Sequence, residues 1–302
     1  MPGFPVRLGN RLVWLVLAGS AIAACAGCST PKGIGVQRPS PGATSSSVGG
    51  PAVPRPLHTV IVMFENHPYD DIIGNPQAPY INALAHEGAL FTASYAVTHP
   101  SEPNYLALLS GSTQGITSDQ CPTTLAAPNL VADLIAAGHT FAGYSEGLPA
   151  PGSQTCGAGG YARKHVPWTD FSNIPRSVNQ PFSRFPTTDY STLPDVSFVI
   201  PNLCHDMHDC SVGTGDAWLR QHLGGYARWA MTHDSLLIVT WDEDDSFHSN
   251  HIATIFVGQQ VRPGRYSRPI DHYNVLRTLE QAYGLPYRGV TAQHYPITWA
   301  WK

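Results

Sequence analysis

The chain has few charged residues, no run of basic residues, and only a short apolar segment near its N-terminus. Charged side chains make up 13% of the 302 residues, and 17 basic against 21 acidic residues give a formal net charge of −4. Because no basic run is present to neutralise a nucleic-acid backbone, nucleic acid is not expected as a partner. The apolar segment, Leu12–Ala24, is shorter than the roughly 20 residues that span a bilayer, which argues against a membrane helix there.

The N-terminus has the features of an export signal. Arg7 and Arg11 precede the apolar segment, which ends in small residues. Residues 22–25, Ile-Ala-Ala-Cys, resemble a bacterial lipobox, which predicts cleavage before Cys25 and a diacylglycerol anchor on its thiol. Cys28 is the competing lipidation site, and an ordinary secretory signal is the alternative. We therefore expect an exported protein, lipid-anchored at the cell membrane or cell surface, or alternatively secreted.

Three segments are predicted along the chain. Residues 1–24 form the signal peptide, residues 25–57 carry the lipobox cysteine and a tether rich in Pro, Gly and Ser, and residues 58–302 form one folded domain. The tether cannot bury enough apolar surface to order itself. Removal of residues 1–24 takes two arginines and no acids from the chain, so the net charge becomes −6.

Four further cysteines lie in the predicted domain. An even number in an exported protein favours two disulfides. Cys204 and Cys210 would close a short loop, which leaves Cys121 to pair with Cys156, although the sequence alone allows three pairings. A thiolate metal site is the alternative, but none of these four has the C-x-x-C spacing typical of one.

Apolar, β-branched runs alternate with helical patterns along this domain, which predicts an α/β fold with a mainly parallel sheet between two helical layers. The predicted strands are His58 to Phe64, Phe141 to Ser145, Val196 to Ile200, Leu236 to Trp241 and Ala253 to Val257. The predicted helices are Tyr80 to Glu87, Ser101 to Leu109, Asn129 to Ala137, Asp216 to Met231 and Tyr273 to Tyr283.

Oxygen-bearing side chains follow three of these strands. In such sheets, ligands bind beyond the carboxyl ends of the strands. Glu65-Asn66 follows the first strand, residues 201–209 follow the strand that ends at Ile200, and four consecutive acids, Asp242 to Asp245, follow Trp241. Asp or Asn after a strand is often only turn chemistry. The four acids repel one another, however, and a divalent cation of unknown identity would relieve that repulsion.

Ser101 opens a predicted helix, and two interpretations are open for it. Serine is a favoured N-cap, so a structural role is sufficient. The N–H groups and dipole at a helix N-terminus also attract phosphate, and a serine there beside a metal can act as a nucleophile.

Several histidines lie in polar or turn-like contexts and are candidates for proton donation, phosphate contact or metal binding, although each can also be a simple surface histidine. They are His99, His165, His208 and His272. We favour His208 and His272. Arg163-Lys164-His165 is a local positive cluster that either meets a phosphorylated substrate or forms a solvated loop.

These motifs resemble the bacterial phosphoesterase family of the alkaline phosphatase superfamily, which contains acid phosphatases and phospholipases C. The resemblance spans about residues 58–298. It is carried by the segments at 64–67, 81–84, 98–105, 161–168, 206–209, 215–219, 241–244 and 272–276.

The resemblance implies an alkaline-phosphatase-like fold and a site in which a metal is held by Glu65, Asn66, Asp242, Glu243 and the serine. Ser101 would be the catalytic nucleophile, with His208 and His272 as further catalytic candidates. The expected substrate contacts are His99, Asn104, His165 and Asp206. A second metal is possible in the superfamily, but the spacing of Asp206 and His208 does not reproduce its usual ligand pair.

The resemblance, together with these residues, implies three candidate functions. The first is an acid phosphatase that hydrolyses phosphate monoesters, including phosphoinositides, through a phosphoserine. The second is a phospholipase C-type phosphodiesterase acting on a lipid. The third is a surface binding lipoprotein without turnover, which the complete set of Glu65, Ser101 and Asp242 argues against.

Overall fold

A computed structural model describes residues 52–302, and the signal peptide, the tether and Cys25 therefore lie outside the described residues, apart from the last residues of the tether. Helices and strands alternate along the described chain, as the sequence predicts. The strands are β1 (Thr59–Phe64), β2 (Ala89–Tyr95), β3 (Phe141–Ser145), β4 (Gly157–Ala158), β5 (Tyr161–Ala162), β6 (Asn179–Pro181), β7 (Val196–Ile200), β8 (Leu236–Trp241), β9 (His251–Gly258), β10 (Gly264–Tyr266) and β11 (Ile270–Asp271).

Six α-helices and several 3-10 turns connect these strands. The α-helices are α1 (Tyr69–Ile72), α2 (Pro79–Glu87), α3 (Ser101–Ser110), α4 (Leu130–Ala136), α5 (Val212–Ala230) and α6 (His272–Ala282). The 3-10 turns are Arg163–His165, Pro167–Thr169, Arg176–Val178, Phe182–Arg184, Tyr190–Thr192 and Thr291–Gln293. Within the described residues, no helix combines the length and apolar character needed to cross a membrane.

One mixed sheet of nine strands forms the centre of the domain, in the order β10-β2-β9-β8-β1-β7-β3-β6, with β11 also paired to β2. The strand β9 runs antiparallel to both of its neighbours, and the other pairings in this sheet are parallel. The nine residues between β8 and β9 explain the reversal, because a parallel connection needs a crossover of a dozen residues or more.

The central strand β1 is buried on both faces, which is why its sequence is continuously apolar. Ile61 and Met63 belong to one hydrophobic cluster, whereas Val60 and Val62 belong to the other. Side chains of α3, α4 and α6 pack into the first cluster, and those of α1, α2 and α5 pack into the second. The predicted three-layer α/β/α architecture is therefore confirmed.

Both expected disulfides are present, Cys121–Cys156 and Cys204–Cys210. The strand β2 was absent from our sequence prediction. Its residues, Ala-Leu-Phe-Thr-Ala-Ser-Tyr, become partly exposed toward the C-terminal end, and so they lack the continuous apolar character of the other strands.

Candidate active site

The carboxyl ends of three neighbouring strands meet at one edge of the sheet. Glu65 follows β1, Asp206 lies in the turn after β7, and Asp242 follows β8. Backbone hydrogen bonds join these ends, from Glu65 N to Asp206 O (2.8 Å) and from Asp242 N to Phe64 O (2.9 Å). All three side chains are fully buried, so the strand-end residues form one acidic cluster inside the protein.

Ser101 is the first residue of α3, and its hydroxyl turns toward this acidic cluster. The Oγ lies 3.1 Å from Oε2 of Glu65 and 3.2 Å from Oε1 of Glu243. The hydroxyl can therefore donate its single proton to either carboxylate. Pro100 occupies the N-cap position. The hydroxyl is therefore directed at the carboxylates rather than at the helix backbone. Ser101 does not act as the N-cap of α3, and its role as a nucleophile stays a prediction.

Asn104 fixes the turn that precedes Ser101. Its Oδ1 accepts hydrogen bonds from the N–H groups of Val97 (2.9 Å) and Thr98 (3.0 Å), and its Nδ2 donates to the carbonyl oxygens of Thr98 and Pro100. We expected Asn104 to contact substrate. In this structure both of its amide atoms are engaged by the backbone of its own turn, so its observed role is to hold that turn.

His165 lies between two of the acids and stacks on Tyr105. Its Nε2 is 3.3 Å from Oε2 of Glu65, and its Nδ1 is 3.4 Å from Oδ2 of Asp206. The two rings are 5.2 Å apart and inclined by 13°. Glu65, His165 and Asp206 thus offer ligand atoms that all lie within 4.8 Å of one another, a grouping that could hold a metal ion. The sequence favours substrate contact for His165 and Asp206, with metal binding as an alternative for each.

The segment that carries His165 is held by tight packing against the sheet. Trp168, in the following 3-10 turn, lies so close to Gly143 of β3 that a side chain at that glycine would overlap its ring. The indole Nε1 also donates to Oδ1 of Asn179 (3.0 Å). A larger residue at position 143 would displace Trp168 and with it the turn of His165.

His99 approaches the acids from the loop before α3. Its Nδ1 lies 2.6 Å from Oε2 of Glu243, outside hydrogen-bond geometry, and its Nε2 lies 3.1 Å from Oδ1 of Asp244. The side chain remains about one-third exposed, so it is also accessible from the solvent. A histidine in this position can contact both the acids and an incoming anion.

The two histidines favoured as catalytic residues have different surroundings. His272 is buried at the start of α6, and its Nε2 lies 2.8 Å from the backbone oxygen of Asp242. This contact holds the backbone of the acidic loop in place. His208 is partly exposed, its Nδ1 is 2.7 Å from Oδ1 of Asp209, and its ring lies 5.9 Å from that of His165. His208 is thus accessible to a substrate, whereas His272 contacts the protein interior.

The buried acids repel one another. Burial, together with the charges of Asp242 and Asp206, raises the pKa of Glu65 well above its ordinary value. Burial also raises the pKa of Asp206 and that of Asp242 to about 7, and that of Glu243 to about 8. Conversely, burial and then the charge of Lys164 lower the pKa of His165. The site therefore holds more acidic groups than its own bases can neutralise.

A divalent cation fits this donor set. Within residues 52–302, Oδ2 of Asp206, Oδ2 of Asp242 and Oε2 of Glu243 are buried and have no hydrogen-bond partner. Carboxylate oxygens are the preferred ligands of hard divalent cations. Asn66, expected as a ligand, adopts a left-handed backbone (φ 57°) and donates its N–H to Oδ1 of Asp242 (3.0 Å), so it orients one of these acids.

Tyr105 contributes to the site but was missed in our sequence reasoning. Its hydroxyl donates to Oε1 of Glu65. The available signal was its position four residues after Ser101, because residues at that spacing share one face of a helix.

Comparisons with known proteins identify the family to which this chain belongs. The model of the phosphoesterase family matches residues 75–286. A phosphatidylinositol-3-phosphatase from Mycobacterium tuberculosis is 56% identical over 252 residues, which cover 83% of this chain and 84% of that protein. An acid phosphatase from Aspergillus fumigatus is 30% identical over 249 residues, which cover 76% of this chain and 55% of the fungal protein.

Solved structures show the same fold at low sequence identity. A protein of the alkaline phosphatase superfamily from Vibrio parahaemolyticus superimposes with a TM-score of 0.54 at 15% identity and covers 78% of this chain and 68% of its own. The lipoteichoic acid synthase LtaP from Listeria monocytogenes has a TM-score of 0.54 at 12% identity and covers 78% of this chain and 73% of its own. The chain has the fold of this superfamily, and both the family model and the mycobacterial relative match it over most of its length. It therefore belongs to the phosphoesterase family and is a phosphoric ester hydrolase.

Proposed function

We propose that this enzyme hydrolyses phosphate monoesters through a phosphoserine formed on Ser101. The observation that carries the proposal is the placement of Ser101, whose buried hydroxyl lies at the N-terminus of α3 between Glu65 and Glu243. Each of these carboxylates can accept the hydroxyl proton, and the helix N-terminus favours an anion next to the nucleophile. Family resemblance points to the same residue.

The residues that would hold a divalent metal ion are Glu65, Asp242 and Glu243, with His165 and Asp206 adjoining them. The support is chemical, since Asp206, Asp242 and Glu243 each have a buried oxygen without a hydrogen-bond partner among the described residues. Glu65, His165 and Asp206 also offer ligand atoms that lie within 4.8 Å of one another. When bound, the ion supplies positive charge that offsets the acids and stabilises charge on the phosphate oxygens.

The reaction would proceed in two steps, transfer of the phosphoryl group to Ser101 and hydrolysis of the phosphoserine. First, the Oγ of Ser101 forms a bond to phosphorus, its proton passes to Glu65 or Glu243, and the bond from phosphorus to the leaving alcohol oxygen breaks. The departing oxygen takes a proton, for which partly exposed His208 is the candidate donor. Water then attacks the phosphoserine and gives a proton to His208, the bond from phosphorus to Oγ breaks, Oγ takes back the proton held by Glu65 or Glu243, and inorganic phosphate leaves.

The substrate class rests on the relatives. The mycobacterial relative is a phosphatidylinositol-3-phosphatase and the fungal relatives are acid phosphatases, so phosphoinositides and soluble monoesters at acidic pH are the substrates to test first. Release of inorganic phosphate from the lipid would support a monoesterase. Release of a phosphorylated headgroup would instead indicate the phospholipase C-type activity.

The deciding experiment replaces Ser101 by alanine. Turnover of p-nitrophenyl phosphate should fall at least about a thousandfold, while the melting temperature stays near that of the wild type. Ser110 is a matched control, because it is a buried serine on the same helix whose hydroxyl contacts Leu106 O and Ser112 O instead of the acids. Equal turnover of Ser101→Ala and Ser110→Ala would refute the assigned nucleophile.

Metal dependence is tested separately by exhaustive chelation. Turnover should be lost and should return when a divalent cation is added back, and the melting temperature should rise on addition because the acids are relieved. Full turnover by protein shown to be free of metal would refute the metal-assisted site while leaving Ser101 to be judged by its own variant.

A further inference from the structure

Lys164 is linked through one carboxylate to Glu102, the residue next to Ser101. Its Nζ is 2.7 Å from Oδ2 of Asp119. The other oxygen of the same carboxylate, Oδ1, accepts the N–H of Glu102 at 3.1 Å. One carboxylate therefore connects the ammonium group of Lys164 to the N-terminus of α3, immediately after Ser101.

Lys164 is also the chain neighbour of a residue that contacts the acidic cluster. Lys164 precedes His165, whose ring lies between Glu65 and Asp206. The Lys164 side chain is 24% exposed, so a solute can reach it although the acids themselves are buried.

Arg163, the neighbouring base, points elsewhere. Its guanidinium donates to Thr169 Oγ1 and to the backbone oxygens of Thr123, Gln154 and Thr169, and it lies 3.2 Å from Oδ1 of Asp170. The two basic residues of this segment therefore have different roles. Arg163 holds the surrounding loops together, whereas Lys164 contacts Asp119 at the start of α3.

A positive charge at this position, in addition to the proposed metal ion, would favour binding of an anionic substrate. A phosphate monoester is an anion, yet the Ser101 hydroxyl is bordered by the buried carboxylates of Glu65 and Glu243. A lysine ammonium stays protonated from acidic to neutral pH and binds phosphate as a point charge.

We propose that Lys164 binds the phosphate group of the substrate and that Asp119 is a positioning residue that holds the ammonium at the N-terminus of α3. The proposal rests on the proposed function, because it assigns a contact to the phosphate that Ser101 attacks. Asp119 keeps Lys164 in place between turnovers, and the phosphate oxygens take over part of that contact when substrate binds.

The test compares Lys164→Met, which keeps the length of the side chain, with Lys164→Arg, which keeps the charge. We expect the KM for p-nitrophenyl phosphate and the Kd for inorganic phosphate to rise about tenfold or more in Lys164→Met, with a smaller change in kcat. Lys164→Arg should stay within about threefold of the wild type. Asp119→Asn should raise KM less than Lys164→Met does, with kcat nearly kept.

Arg184→Met is the matched control, because it also removes one positive charge from an exposed position, where Arg184 contacts Gln180. An exposed ion pair such as Lys164–Asp119 contributes little to stability, so all variants should melt near the wild-type temperature. Unchanged phosphate affinity in Lys164→Met overturns the proposal. So does an equal loss of affinity in Lys164→Arg or Arg184→Met.

Calorimetry with inorganic phosphate separates this proposal from the proposed function. Phosphate binding is measured in the Ser101→Ala background, with and without Lys164→Met, and it needs no turnover. Wild-type protein without phosphatase activity would contradict the proposed function, whereas equal phosphate affinity of the two proteins would contradict the role of Lys164. Raising the ionic strength should weaken phosphate binding more when Lys164 is present.

Discussion

Ser101 and Tyr105 lie one helical turn apart on α3 and donate hydrogen bonds to the two oxygens of one carboxylate, that of Glu65. Ser101, the proposed nucleophile, and the residue that orients its acceptor therefore belong to one rigid element. Because a helix fixes the spacing of residues four apart, the carboxylate is oriented by the same structure that positions the hydroxyl.

Replacing Tyr105 by phenylalanine should weaken metal binding. The substitution frees Oε1 of Glu65, and loss of a hydrogen bond to a metal-ligating group typically costs about tenfold to a hundredfold in affinity. The rise in melting temperature during titration with a divalent cation measures this affinity without turnover. Tyr226→Phe is the control, since its buried hydroxyl contacts His58 O and Leu236 O, and it should lower stability alone. Equal metal affinities of the two variants would contradict the prediction.

His208 and His272 should give different kinetic signatures. If His208 protonates the leaving oxygen, His208→Ala should slow hydrolysis of an alkyl phosphate by about a hundredfold and that of p-nitrophenyl phosphate far less, because nitrophenolate leaves without a proton. His272 contacts the backbone oxygen of Asp242, so His272→Ala should lower stability and slow both substrates alike. A leaving-group dependence that appears with His272 instead would reverse the assignment.

The Cys121–Cys156 disulfide should support the nucleophile's helix as well as overall stability. Thr123 Oγ1 donates to Glu102 at 3.0 Å, and the guanidinium of Arg163 donates to Thr123 O. With both cysteines replaced by serine, the free energy of unfolding should fall by roughly 4 kcal/mol, as for a closed loop of this length, and kcat should fall as well.

The other disulfide provides the comparison. Cys204 and Cys210 are six positions apart in the sequence, so their replacement by serine should cost only roughly 2 kcal/mol of unfolding free energy. Urea unfolding of the two double variants measures the difference. A larger loss for the shorter loop, or unchanged kcat without the Cys121–Cys156 bridge, would contradict this account.

Glu280 should make stability depend on pH. Burial raises its pKa to about 7, above the ordinary value of 4.5, although Thr291 Oγ1 and the N–H of Arg288 both donate to it. The folded state therefore holds the proton more tightly than the unfolded state does, and this contribution is present below about pH 4.5 and lost as the pH rises through about 7.

Glu280→Gln, which keeps a neutral side chain, should remove that dependence. Its unfolding free energy relative to the wild type should increase between pH 4.5 and 7 and level off above, as measured by urea unfolding at several pH values. Glu87→Gln, at an exposed position, is the control and should run parallel to the wild type. A Glu280→Gln curve parallel to that of the wild type would contradict the prediction.

The N-terminal prediction is tested in cells. Cys25→Ser should abolish incorporation of a labelled fatty acid and release the protein from the membrane fraction, whereas Cys28→Ser should leave both unchanged. The reverse result would assign the anchor to Cys28. Unlabelled protein in the culture medium for both the wild type and the variants would favour the ordinary secretory signal.

Much of the fold could be predicted because its strands are buried on both faces. The strands β3, β7 and β8 begin and end where the apolar runs do, and β1 differs by one residue. The edge of the sheet was harder to predict, because β2 mixes small and polar residues. The direction of β9 was also not evident from its sequence pattern. Ladder direction depends on the connection, which for β9 is too short for a crossover.

The site was predictable where its residues follow strands and less so elsewhere. The parallel order of β8, β1 and β7 brings Asp242, Glu65 and Asp206 together, as the strand-end argument requires. His165 lies in a 3-10 turn within a long connection, so its place between two acids follows from tertiary packing alone. The roles of these residues as metal ligands, and of Ser101 as nucleophile, stay predictions for the experiments above.

The turn closed by Asn104 bears on the timing of the reaction. Since the backbone before Ser101 is held by four hydrogen bonds from a side chain of its own helix, the nucleophile is in place before any substrate arrives. Free and phosphorylated enzyme should then share one backbone conformation around residues 97–104. An enzyme of this kind would need no induced fit at Ser101, the proposed nucleophile, whatever moves elsewhere during turnover.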